Sequence, residues 1–354
     1  MLDICVVGFG AIGTIYAYAL ERAGRARVTA VCRSLGCVVH VRVEGAGLGI
    51  TSDCLGRAEA WKPYRVVASV DDAADRDYRF VVCSFKCLPD VQDTPSLIRP
   101  LLSKTSAFVL VQNGIGIERT LREEAPGNAT IISGCAWVDA TVVDGGTRVH
   151  QTGDERLTIG VHPSPNGNAG AETGARESLE LLAELLRSGG CNPEVTNNID
   201  AARWRKVLWN ASFSTLCTLT RGSCADMMSA EVLSDMLPVI RGVMAEVISV
   251  ARKAGVTPTE LPDEAAEPIV KNAIHDYSDV HLKSGDNGNG RVPSTFKPSM
   301  LVDLEAGRPI EVEPIIGGVI RRARELSVET PRLDLVYAAL KVIQQNILKA
   351  RKVR

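Results

Sequence analysis

The sequence predicts an α/β domain with a doubly wound parallel sheet, followed by an all-α domain. Three observations lead to this fold class. Short β-rich runs alternate with helical patterns through the first half, as a sheet built from βαβ units requires. A glycine-rich turn follows the first of these runs directly, and beyond Ile199 the strand signature gives way to long helical periodicities. At 354 residues the chain exceeds what one core usually organises, so two domains are expected, 1–196 and 197–354, with a cleft available between them.

Taken in order, strands are expected at Ile4–Val7, Val28–Cys32, Phe80–Phe85, Ala107–Val111 and Ile131–Val138, with a helix from the glycine turn to about Ala23. Val142–Val143 and Arg148–His150 flank Asp144-Gly145-Gly146, which reads as a hairpin turn. Pro163–Gly174 is rich in Gly, Asn, Ala and Pro with little hydrophobic period, so a surface loop is expected before a helix near Arg176–Arg187. The last β-like run ends at Val195, which places the boundary near Asn197. Helices are then expected at Asp200–Leu219, Ala230–Ala254, Glu264–Asn272, Val312–Leu326 and Arg332–Leu348, the last with Pro331 suited to its start. Lys283–Pro293 reads as a second loop, and no repeat period is visible.

Composition narrows the function classes. Forty basic and 42 acidic residues give a net charge of −2, without a field that would draw nucleic acid or anionic lipid. Only Lys349 to Arg354 is locally basic, which suits a helix C-terminus. No basic leader with a cleavage site and no run of about 18 apolar residues is present, so a cytoplasmic enzyme is expected. Ten cysteines lack a disulfide-scaffold pattern, and Cys5, Cys32 and Cys83 sit inside apolar runs, as reduced core thiols would. There is no C-x-x-C pair and the five histidines are scattered, so no metal site is expected.

Asp3 to Val7 leads into Gly8-Phe9-Gly10-Ala11-Ile12-Gly13, followed by a helical pattern and a second strand. This is the context of a Rossmann-type dinucleotide turn. Gly8 permits the tight turn, Gly10 lets backbone approach a pyrophosphate, Gly13 allows close helix–strand packing, and the helix N-terminus meets the phosphates. Where NAD enzymes usually carry a carboxylate for the ribose hydroxyl, this chain has Arg33-Ser34. A guanidinium and a hydroxyl can bind a 2′-phosphate that a carboxylate would repel, which argues for NADP; an Arg33 that faces solvent is the alternative.

In the helical stretch from Arg203 to Ser214, Lys206, Asn210 and Ser214 recur every four residues and therefore share a face. That stripe suits the wall of a polar cleft, and a solvated face is an equal alternative. Reduction of a ketone by hydride leaves negative charge on oxygen, and no histidine stands out as the proton donor. Lys206 can stabilise that charge and, with a lowered pKa, deliver the proton.

Together these residues resemble the ketopantoate reductases, the ApbA/PanE-type oxidoreductases of pantothenate biosynthesis, over nearly the whole chain. The resemblance rests on the glycine turn, Ser84-Phe85-Lys86, Gln112-Asn113-Gly114, Trp204-Arg205-Lys206 through Asn210, and the block from Lys297-Pro298-Ser299 through Asp303 to Arg308-Pro309-Ile310-Glu311-Val312-Glu313. It implies NADPH-dependent reduction of 2-dehydropantoate (ketopantoate) to (R)-pantoate, with Lys206 as general acid and Glu311 contacting the substrate hydroxyl and setting the lysine's state. It also implies that Asn113 lies near nicotinamide and substrate, that Lys86 lies at the cofactor cleft, that Arg33 binds the NADP phosphate, and that Asn210 and Ser299 contact substrate.

Each of these residues has a plainer alternative. Asn113 could occupy a left-handed turn, Ser299 could cap the helix after Pro298, Glu311 could be a surface charge, Lys86 could be a strand-end cation in water, and Asp303 reads as structural. Ser214 stands where the family often has asparagine, and Pro314 to Gly317 replaces a more polar segment, so the substrate is less fixed than the reaction. A D-2-hydroxy acid dehydrogenase for another branched or aromatic 2-oxo acid, and a non-catalytic NADP-binding sensor, are the rival expectations. Helices such as Ala230–Ala254 could pair two subunits in a homodimer.

Overall fold

A computed structural model describes residues 1–32, 46–127, 129–163, 169–280 and 294–352. The described chain divides into two compact units. The first comprises Met1–Cys87, Val91–Asn113 and Ile117–Ile199; the second comprises Leu88–Asp90, Gly114–Gly116 and Asp200–Arg354. Arg33, Ser34 and the expected loop over Lys283–Pro293 lie outside the described residues.

Among the described residues the first unit carries one ten-stranded sheet. Its strands are β1 (Leu2–Val7), β2 (Ala26–Val31), β3 (Leu48–Ser52), β4 (Gly56–Trp61), β5 (Arg65–Val67), β6 (Tyr78–Cys83), β7 (Thr105–Leu110), β8 (Thr130–Val143), β9 (Arg148–Val161) and β10 (Glu194–Val195). They lie in the order β4-β3-β9-β8-β7-β6-β1-β2-β5, with β10 beside β9. From β8 through β5 every neighbouring pair is parallel. The expected doubly wound sheet is therefore present.

Alternation along β1 explains why the sheet is covered on both faces. Ile4 and Val6 enter one apolar cluster with helices α1 (Ala11–Arg22) and α2 (Ala169–Ser188), while Cys5 and Val7 enter another with Tyr78, Phe108 and Leu110. Successive side chains of a strand point to opposite faces, so an uninterrupted apolar run is what a doubly covered strand needs. Glu21, in the last turn of α1, accepts hydrogen bonds from Val28 N–H, Tyr64 N–H and Trp61 Nε1. One carboxylate thereby ties α1 to β2 and β4 and to the chain entering β5.

Three expectations need correction. β8 is one continuous strand rather than two short runs, and it pairs antiparallel with β9 through a register shift between Trp137 and Asp139. Asp144, Gly145 and Gly146 all have positive φ and close the expected hairpin. α2 begins at Ala169, inside the stretch read as a loop, because Ala and Gly there give no apolar period although the backbone is helical. β3, β4 and β5 were not expected at all: most of β4 is solvent-exposed, so its sequence carries no core alternation.

The second unit is helical. Its main elements are α3 (Ile199–Trp209), which clusters with the first unit only at Ile199, α4 (Thr215–Thr220), α5 (Leu233–Lys253), α6 (Ala266–Tyr277), α7 (Ser299–Glu305), α8 (Gly318–Glu325) and α9 (Pro331–Lys352). A π-helical turn, Asn210–Ser214, joins α3 to α4, and a second, Glu313–Gly317, leads into α8. The buried core includes Trp204, Leu208, Phe213, Met244, Val247, Leu301, Ile316 and Leu340. Within this core the two π turns pack against each other, and α5, α7 and α9 surround them.

Candidate active site

In the first unit the glycine turn sits where the strand order reverses, between β1 and β6, the usual ligand position of an open α/β sheet. Gly8 has φ +95°, and a Cβ there would lie 2.3 Å from Phe85 N. A Cβ on Gly13 would lie 2.3 Å from the Gly8 carbonyl oxygen and 2.6 Å from Ser84 Oγ. Both glycines are therefore required by backbone approach. Gly10 differs: nothing lies within 4 Å of an added Cβ, so the space before α1 is open.

Gly10 is the N-cap of α1 and makes no side-chain cap, and the first turn carries no acid. The leading N–H groups of the helix are thus presented without a competing side-chain acceptor or a repelling carboxylate. This turn fits a dinucleotide pyrophosphate. Ser84, which was not singled out as a site residue, donates to the Gly8 carbonyl at 2.8 Å and fixes the turn to the end of β6. Gln112 Nε2 donates to Phe85 O at 3.1 Å, which draws the end of β7 to the same place.

Phe9, Ala11 and Ile12 are half-buried around the turn, and the Phe9 ring lies 6.1 Å from that of Trp61. Lys86 is exposed two residues past Ser84, and Asn113 is half-buried at the end of β7. The left-handed alternative for Asn113 fails, because the positive φ belongs to Gly114 and Gly116.

In the second unit, α3 and the π turn after it carry Lys206, Asn210 and Ser214. Lys206 is half-buried, while Asn210 and Ser214 are buried. An α-helix advances 100° per residue, so residues four apart drift by 40°; a wider π turn advances less and offsets that drift. The hydroxyls of Ser212, Thr215 and Thr218 donate to carbonyls four residues earlier, at Leu208, Ala211 and Ser214. Such back-bonding keeps these hydroxyls within their own helix.

Glu311 is 3% exposed and immediately precedes the helix that opens with the second π turn. It is not a surface charge. The expected Ser299 is exposed at the first residue of α7, whose N-cap is Pro298 without a side-chain bond, so Ser299 is not the cap. α7 nevertheless packs against the first π turn. Asp303 accepts from Arg308 Nε at 2.9 Å and closes the loop that leads to Glu311.

Two groups in this unit were not anticipated. Arg203, buried and one turn before Lys206, donates to the Gly114 carbonyl at 3.0 Å. Its place at i−3 from Lys206 is the sequence signal it gives. Glu313 accepts from Lys341 Nζ at 2.5 Å, Arg321 Nη1 at 2.6 Å and the Tyr337 hydroxyl at 2.8 Å. Burial pushes its carboxyl upward, but these donors outweigh burial and leave it below its ordinary value. Among the described residues no group of His, Cys, Asp and Glu could hold a metal ion, and no helix is long and apolar enough to cross a membrane.

The chain resembles known proteins over most of its length. The family model for ketopantoate reductase PanE/ApbA matches residues 4–164, and that for the ketopantoate reductase PanE/ApbA C terminal matches residues 198–344. The crystal structure of 2-dehydropantoate 2-reductase from Methylococcus capsulatus superposes with a TM-score of 0.76 at 30% identity, covering 98% of each chain. An uncharacterized protein of Saccharomyces cerevisiae is 29% identical over 375 residues, 99% of this chain and 96% of its own. A 2-dehydropantoate 2-reductase of Mesorhizobium japonicum is 26% identical over 362 residues, 96% of this chain and 97% of its own.

Proposed function

The chain belongs to the ketopantoate reductase family of NADP-dependent oxidoreductases acting on CH–OH groups, and from that premise we propose that it reduces 2-dehydropantoate to (R)-pantoate. Reduction of a 2-oxo acid with NADPH is the family's reaction; the individual acid is the proposal. The pathway of pantothenate synthesis, a cytoplasmic location and a homodimeric state belong to the same proposal. So does the division of labour, with 1–196 as the NADP-binding domain and 197–354 as the substrate and catalytic domain.

The glycine turn Gly8-Phe9-Gly10-Ala11-Ile12-Gly13, with Lys86, Asn113 and Arg33, would hold NADPH, which when bound would supply the hydride. The chain's own residues do the rest. The Lys206 ammonium stabilises charge developing on the ketone oxygen and donates its proton there, worth roughly 10²–10⁴-fold in rate. Glu311 accepts from the resulting hydroxyl and orients the lysine. Asn113, Asn210, Ser214 and Ser299 hold the polar groups of the acid. The observation that most supports this reading is the packing of two π turns, one carrying Asn210 and Ser214 and the other starting just after Glu311. π turns are rare and frequently occur at functional sites.

The test is a panel of ketopantoate, 2-oxoisovalerate and phenylglyoxylate, each with NADPH and with NADH, ranked by kcat/KM. Ketopantoate with NADPH should rank first. Preference for phenylglyoxylate would replace the substrate, and no oxidation of NADPH with any acid would refute the reading. In a titration of cofactor fluorescence Arg33→Ala should raise the Kd for NADPH on the order of 10–100-fold, as loss of a charged hydrogen bond predicts, and leave that for NADH nearly unchanged. Equal losses for both cofactors would rule out the phosphate role.

A further inference from the structure

One face of α9 holds the chain on both sides of Glu311. Tyr337, Lys341 and Gln344 stand at i, i+4 and i+7, which is a single helical face. Gln344 is 1% exposed; its Oε1 accepts from Ile310 N–H at 2.9 Å and its Nε2 donates to Asp90 Oδ2 at 3.0 Å. That fixes the residue before Glu311. Tyr337 and Lys341 donate to the Glu313 carboxylate, which fixes the residue two places after it.

Arg321 adds a second hold, with one nitrogen on the Glu313 carboxylate and the other on the Glu313 carbonyl at 2.9 Å. Room for this arrangement depends on Gly317, where a Cβ would lie 2.8 Å from Glu313 Oε2 and 3.1 Å from Tyr337 Cε2. Glu311 ends the segment that precedes the helix, and Glu313 lies two residues on, inside the π turn. The groups that bind Glu313 therefore hold the turn that Glu311 leads into.

We infer that Glu313 is a positioning residue, anchoring the π turn through Arg321, Tyr337 and Lys341 so that Glu311 is held in its reactive placement. The inference rests on the proposed role of Glu311. A carboxylate is needed because two cations and a hydroxyl converge on it; an amide of the same size would leave those donors poorly matched. Misplacement of a reacting group by about 1 Å can cost on the order of 10²-fold in rate. The expected signature is consequently a loss in kcat that vanishes when Glu311 itself is disabled.

The experiment uses the full chain with NADPH and the best acid of the panel, comparing Glu313→Gln, Glu313→Asp and Tyr337→Phe in the parent and in a Glu311→Gln background. NADPH Kd and the thermal midpoint are measured beside kcat and KM. Glu313→Gln should lower kcat roughly 10–100-fold with NADPH affinity little changed, and Glu313→Asp should recover most of the loss. In the Glu311→Gln background the same change should cost no more than about twofold, because the two residues act as one unit. Should Glu313→Gln fail to fold, Tyr337→Phe, which removes one donor, must give a smaller kcat loss with the same dependence on Glu311. Parental kcat in a folded Glu313→Gln protein, or equal losses in both backgrounds, would overturn the inference alone. Failure of the parent to reduce any oxo acid, or a Glu311→Gln protein as active as the parent, would instead overturn the reading beneath it.

Discussion

Replacing Lys206 with alanine should lower turnover by roughly 10²–10⁴-fold, the range that a positioned general acid contributes. Lys206 is half-buried, and it precedes Asn210 by one turn. Alanine there keeps helix propensity and removes only the stem and ammonium. NADPH binding, measured by titration of cofactor fluorescence, should change little, because the glycine turn belongs to the other compact unit. Lys206→Arg should not restore turnover, since a guanidinium holds its proton far more tightly than an ammonium. Near-parental turnover in Lys206→Ala would remove the proposed acid from the reaction.

The second large effect is expected from alanine at Gly13. Its Cβ would sit 2.3 Å from the Gly8 carbonyl oxygen, and backbone cannot swing aside as a flexible side chain does. α1 would have to lift away from β1 and β6, with an overpacking cost of about 1–3 kcal/mol. The same shift withdraws the helix N-terminus from a bound phosphate, so NADPH affinity should fall on the order of 10–100-fold as charge-assisted hydrogen bonds are lost. Gly10→Ala is the control. Nothing lies within 4 Å of its added Cβ, so the thermal midpoint should stay near the parental value while NADPH affinity alone falls. Unchanged affinity in both variants would show that this turn does not hold the cofactor.

The first βαβ unit was legible because its signals are local. An apolar run covered on both faces, a glycine turn and a helix fall in sequence within the first 31 residues, and the structure places them at Leu2–Val7, Ala11–Arg22 and Ala26–Val31. β4 was not legible, because an exposed strand takes its order from pairing with β3 rather than from its own pattern. The start of α2 was hidden for a related reason: Ala and Gly mark neither a face nor a stop.

The site divides in the same way. The spacing of Lys206, Asn210 and Ser214 was visible, but the π turn beneath the last two was not, since one wider turn leaves a four-residue recurrence intact. Glu311 was read from family resemblance, and only packing reveals that it is buried. The partners of Glu313 lie 8, 24 and 28 residues further along, beyond any local pattern. The case for Arg33 rests on the chemistry of a 2′-phosphate, and its test is the affinity for NADPH against that for NADH.

The most direct measurement of the central claim follows an isotope. The parent enzyme is given ketopantoate and NADPH bearing deuterium at the transferable position of the nicotinamide, and the product is analysed by mass spectrometry and NMR. Pantoate carrying one deuterium on its C2 carbon, formed in proportion to the NADPH consumed and lost with Lys206→Ala, is the predicted result. Stoichiometric NADPH binding without label in any hydroxy acid, across the whole panel of 2-oxo acids, would contradict it.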